Sequence, residues 1–182
     1  MKGDANVWWR RSVCFDKKFA EAITQVASEF SKLSTNEAIL AAGFNPTEFV
    51  RVDGEYSLRN VEDKFDPKYR IIINKIQNIQ KYKWKATLVD GTKISEMSDD
   101  DLFLLPNVAG EKIKEIHFGN SDQNSSLDFW FSNEILNPSV YVAISGSVEV
   151  VQKIGNDVKI RLKQFSRKWW QRLGARIAMA AS

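Results

Sequence analysis

Cysteine and histidine are almost missing from this chain of 182 residues, which holds one of each, Cys14 and His117. A single cysteine cannot close a disulfide within the chain, and one of each is too few for a zinc site built from those ligands. Apolar runs are short: no stretch approaches the roughly 18 consecutive apolar residues of a spanning helix. The first thirty residues also lack a basic start followed by an apolar run and a small-residue cleavage site. The expected location is therefore cytoplasmic, or peripheral to a membrane if the basic terminus described below engages lipid. Proline and glycine are sparse, four and nine residues, and neither a low-complexity linker nor a repeat of 20 to 50 residues is present.

Acidic residues are the most unevenly distributed. None occurs from Val158 to Ser182, a segment with seven basic residues (Lys159, Arg161, Lys163, Arg167, Lys168, Arg172 and Arg176). The chain carries +3 overall, so the preceding part is −4 and this segment +7. Such a separation of sign points to a negatively charged partner. The composition, 43% hydrophobic and 27% charged, is that of a folded globular chain. Its length fits one domain able to bury its own core.

Hydrophobic periodicity predicts the elements. Val7, Trp9, Arg11, Val13 and Phe15 share one face of a predicted strand, Val7–Phe15. Asp16 is placed to cap a helix to Lys32, whose stripe is Phe19, Ala22, Ile23, Val26, Ala27, Phe30 and Leu33. Thr35 is expected to cap a second, short helix, Glu37–Ala42, ended by Gly43. A hairpin is predicted in Glu48–Asn60 around Asp53-Gly54. Asp66-Pro67 reads as the start of a helix through Ile72, Ile76 and Ile79, with a strand at Tyr69–Ile73 as the rival reading. Tyr82–Leu88 and Thr92–Glu96 form a second hairpin around Asp90-Gly91. Ser98 to Asp101 is read as the start of a one-turn helix.

Three alternating strands follow, Ile113–Phe118, Leu127–Phe131 and Val140–Ser145. Ser147 then caps a long amphipathic helix with the stripe Val151, Ile154, Val158, Leu162, Phe165 and Trp169, weakened only by Gly155. Grouped strands with helices between the groups indicate an α+β fold. It has a mainly antiparallel sheet of about five to seven strands, helices on one face and a long C-terminal helix. Residues 1–157 form a single domain and 158–182 a basic continuation of that helix with a short apolar tail.

Chemistry-bearing motifs are few. His117 lies between two apolar residues of a strand and is expected to point outward as a surface histidine. Ser145-Gly146-Ser147 lacks the pattern of a nucleophile elbow and reads as helix capping. Asp99, Asp100 and Asp101 are explained by the dipole of a short helix rather than by a metal site. No catalytic residue, cofactor or metal is expected.

The strongest functional signal is Arg167-Lys168-Trp169-Trp170-Gln171-Arg172, which combines cations with rings that favour a membrane–water boundary. Lys163 and Arg176 extend it. Trp8-Trp9-Arg10-Arg11 repeats the pairing and forms part of the same surface if the two segments are neighbours. The lysines at 81, 83 and 85 share a strand face and are read as guarding a sheet edge. The sequence therefore predicts a non-enzymatic binding or regulatory module, held at an anionic membrane surface or a protein assembly by its basic helix. Nucleic-acid binding is the alternative, and a metal-dependent hydrolase ranks last. A homo-oligomer is left open, because the outward faces of the Trp84 and Trp130 strands can meet a second copy.

Overall fold

The computed structural model describes residues 2–10, 17–52, 55–58, 67–98, 102, 113–120, 122, 125–132 and 139–166. In chain order these form β1 (Lys2–Trp9), α1 (Lys17–Ala41), β2 (Phe49–Val52), β3 (Glu55–Leu58) and α2 (Pro67–Gln80). There follow β4 (Lys83–Leu88), β5 (Lys93–Met97), β6 (Ile113–Gly119), β7 (Ser126–Ser132), β8 (Ser139–Ser147) and α3 (Val148–Phe165). Six strands make one sheet in the order β1-β8-β7-β6-β4-β5, each neighbouring pair antiparallel. The fold is α+β.

The sheet's alternation is physical, because each strand must bury one side chain in two. Val7, Trp84, Ala86, Ile116, Phe118, Leu127, Phe129, Phe131, Val140, Val142 and Ile144 are buried on the inner face. They pack against Phe19, Ile23, Val26, Ala27 and Phe30 of α1 and Val151, Ile154, Val158 and Leu162 of α3. Both helices therefore cover the same face. A second cluster of Ala38, Ile39, Phe49, Ile72, Ile76 and Ile79 joins the far end of α1 to α2 and to the β2–β3 hairpin. Pro67 opens α2 at its first position, where its missing N–H costs nothing. The helical reading thus prevails over the strand at Tyr69–Ile73. The two residues at the tip of the first hairpin lie outside the described residues, as do Asp16 and Asp99 to Asp101.

Three sequence expectations need correction. The first strand runs Lys2–Trp9 and not Val7–Phe15, because β8 supplies pairing partners for all eight residues from Lys2 to Trp9. Hydrophobicity hides its first half: a Cβ on Gly3 would lie 3.2 Å from Val148, so the inward positions there must be small. Arg11 to Asp16 lie outside the described residues.

The short helix capped by Thr35 does not exist as a separate element. α1 continues unbroken to Ala41, with Ser34 and Thr35 buried and Thr35 Oγ1 accepting from Gln80 Nε2 of α2 at 3.5 Å. The helix does end at Gly43 (φ +84°), where Gly43 N–H bonds Leu40 O and Phe44 N–H bonds Ile39 O, a Schellman stop.

Lastly, β4 is no edge. It pairs with β5 on one side and β6 on the other, so Lys83 and Lys85 do not guard a sheet edge.

Candidate functional site

Strand β1, which carries Trp8 and Trp9, and helix α3 lie side by side and end at one corner. Helix α3 starts over Gly3, whose missing Cβ faces Val148, and ends beside Trp9, whose Nε1 donates to Ser166 Oγ at 2.7 Å. Ser166 Oγ in turn donates to Leu162 O at 2.7 Å, closing the last turn of the helix. The strand and the helix therefore run in the same direction and finish together. Val158 and Leu162 anchor this half of α3 in the core, so the helix crosses residue 157 without a break.

The predicted contact residues divide as follows. Trp9 points inward and packs at the margin of the core. Trp8, one position earlier, is on the opposite face and 66% exposed. Arg10 and Lys163 are exposed at the same corner. Lys153 donates to Glu29 at 2.7 Å and Arg161 to Gln25 at 3.3 Å, both on α1. With about 3.6 residues per turn, Lys159 and Lys163 fall on the other flank of α3, away from α1. Arg11, Arg167, Lys168, Trp169, Trp170, Arg172 and Arg176 lie outside the described residues.

From Trp8 a row of side chains crosses the outer face of the sheet, on which no helix lies among the described residues. Register puts Trp8 beside Tyr141, Tyr141 beside Trp130, Trp130 beside His117 and His117 beside Lys85, one residue from each of five strands. Ring centroids are 4.3 Å apart for Trp8–Tyr141, 5.1 Å for Tyr141–Trp130 and 4.8 Å for Trp130–His117. Such cross-strand contacts stabilise a sheet pairwise.

Below the row, Tyr141 Oη donates to Asn6 Oδ1 at 2.9 Å. His117 Nε2 lies 3.0 Å from Asp128 Oδ1. Asp128 reaches it through the space above Gly119, where a Cβ would come within 2.0 Å of the same carboxylate oxygen. His117 is outward-pointing, yet its side chain is only 22% exposed. The carboxylate fixes the orientation of the imidazole, and its ring is occupied by Trp130.

Sequence reading did not find this row. Its signal was the presence of the largest aromatic residues at outward positions, Trp130 between Phe129 and Phe131 and Tyr141 between Val140 and Val142. Only strand register puts them in line.

Among the described residues no group of three or more potential metal ligands occurs, and no helix is long and apolar enough to cross a membrane. No protein-family model, curated protein or solved structure matches the chain.

Proposed function

We propose that this protein is a non-enzymatic binding module that holds itself against an anionic membrane surface by the corner where β1 and α3 end. One observation supports the reading: the Trp9–Ser166 hydrogen bond ties the end of β1, where Arg10 follows Trp8 and Trp9, to the last turn of α3. Arg10 and Lys163 are exposed there. The run Arg167-Lys168-Trp169-Trp170 begins one residue after Ser166. Cations near an anionic bilayer each contribute about 1 kcal/mol, and indole rings settle at the headgroup level.

Flotation of the full chain with vesicles tests this. Vesicles containing phosphatidylserine carry the protein upward, and vesicles of phosphatidylcholine alone do not. The double variant Arg10→Glu, Lys163→Glu loses about tenfold or more in binding to the anionic vesicles. Equal flotation with both compositions, or no effect of the double variant, refutes the proposal. Point variants are the right probe, because ending the chain at Asp157 would remove the buried Val158 and Leu162.

Single-stranded nucleic acid is the second reading, favoured by the exposed ring of Trp8. Stacking on bases requires free ring faces, and along the row the rings turn toward one another. Among the described rings of the row only Trp8, at its end, is exposed.

A further inference from the structure

The sheet has two border strands, β1 and β5, each paired on one side only among the described residues. A border strand presents a row of backbone N–H and C=O groups to any strand that can pair with them, and proteins blunt the borders they keep single. β5 is blunted: its pairing with β4 shifts register, and Glu96 stands at φ 64°. β1 is not. Its eight residues run in unbroken register with β8, with neither a proline nor a positive φ among them. Alternate N–H groups along it therefore face away from β8. A chain with one open border joins one other copy and stops there, as a closed pair rather than a filament.

The residues of β1 decide how two copies would meet. A twofold axis through the sheet pairs residues of the same face: Lys2, Asp4, Asn6 and Trp8 outside, Gly3, Ala5, Val7 and Trp9 inside. The registers that join most of the strand are centred on Ala5 and on Asn6. Centred on Asn6, Asp4 faces the second copy's Trp8, and Lys2 comes opposite its Arg10. Centred on Ala5, like charges are avoided: Lys2 faces the second copy's Trp8, Asp4 faces its Asn6, and inside, Gly3 faces its Val7. The Trp8 ring, 66% exposed, is met by Tyr141 on the β8 side, so its other side borders the open edge, where an ammonium group is attracted to an indole. Asn6 Oδ1 already accepts from Tyr141 Oη, which leaves the Asn6 amide N–H groups to donate to the Asp4 carboxylate.

The helices fit the same arrangement. α3 packs on both β1 and β8, so the two copies of α3 would lie two strand spacings apart, about 10 Å, a distance at which helices pack. Lys159 and Lys163 stand toward the Trp9 end of α3, and antiparallel pairing carries them away from the same residues of the other copy.

We propose that β1 is the interface of a symmetric homodimer, in which the β1 strands of two copies pair antiparallel about Ala5 and the two sheets become one.

The test is sedimentation equilibrium of the full chain without lipid, so its outcome is independent of membrane binding. The mass is expected to rise from one chain to two between about 1 and 300 µM, the affinity range of a small interface. Asn6→Asp keeps the oxygen that Tyr141 bonds but sets a carboxylate against Asp4 at two places in the pairing, and it weakens the dimer about tenfold, since like charges directly opposite destabilise. Exchanging the residues, Asp4→Asn together with Asn6→Asp, restores the same contacts and recovers the dimer. Pairing centred on Asn6 would leave two carboxylates opposed in the exchanged variant, so recovery identifies the register. A single-chain mass at every concentration, no weakening by Asn6→Asp, or no recovery in the exchanged variant overturns the proposal.

Discussion

Gly119 owes its place to the carboxylate beside it. A methyl group there would collide with Asp128 at the position from which it bonds His117, so Gly119→Ala must turn Asp128 away or move the strand. Overpacking of this kind costs about 1 to 3 kcal/mol. Urea denaturation measures it, and the penalty shrinks in an Asp128→Ala background, where only His117 Nε2, 3.0 Å from the added Cβ, still crowds it. Glu29 illustrates a charge whose effect depends on pH. Its hydrogen bond to Lys153, reinforced by the lysine's charge, holds the carboxyl below its ordinary value of 4.5. A carboxyl with a depressed folded pKa contributes its stability above the unfolded value and loses it as the pH falls through the folded one. The pair is exposed, and its share is about 0.5 kcal/mol. Thermal melts between pH 3 and 6 should show a shallower acid limb for Glu29→Gln than for the parent chain, and an equal slope contradicts the assignment.

At the scale of elements, α3 offers the most direct stability test. Gly155 is buried in the middle of this helix, and a Cβ there would meet only Ile144 Cδ1, at the ordinary contact distance of 3.8 Å. Gly155→Ala is thus expected to stabilise the protein by about 1 kcal/mol, the difference in helix propensity. Leu162→Ala, in the same stripe and fully buried, is expected to cost about 2 to 5 kcal/mol. Chemical denaturation of the two variants separates the predictions by sign.

The stripe of α3 was readable in the sequence because helical spacing and burial coincide there, as was the strict alternation in β6, β7 and β8. The full length of α1 was not, because Ser34 and Thr35 look like a cap, and only packing against α2 shows why they are buried. The start of β1 was hidden for the converse reason. Its residues Lys2 to Asn6 are polar or small, and their strand conformation comes from β8 rather than from their own pattern. The same dependence on register hid the aromatic row and the His117–Asp128 pair, whereas the basic aromatic segments are contiguous and could be read directly.

Across the whole molecule, the two borders of the sheet are unlike. Strand β5 is short and irregular: its pairing shifts register between Trp84 and Ala86 of β4, Glu96 has φ of 64°, and the Lys83–Glu96 ion pair spans 2.7 Å at that point. Such irregularities discourage further pairing. Strand β1 is the opposite, eight residues in unbroken register with β8 and no proline. Its position also sets the order of assembly. Asn6 and Tyr141 meet across 135 residues, so β1 leaves the ribosome long before the strand it needs. Closure over so long a loop is slow and comes late. Removing the Val7 side chain as Val7→Ala should therefore speed unfolding and leave the refolding rate nearly unchanged in stopped-flow experiments. Until that last strand docks, Val7 and Trp9 are not packed on the core, and chaperone demand should concentrate in that interval.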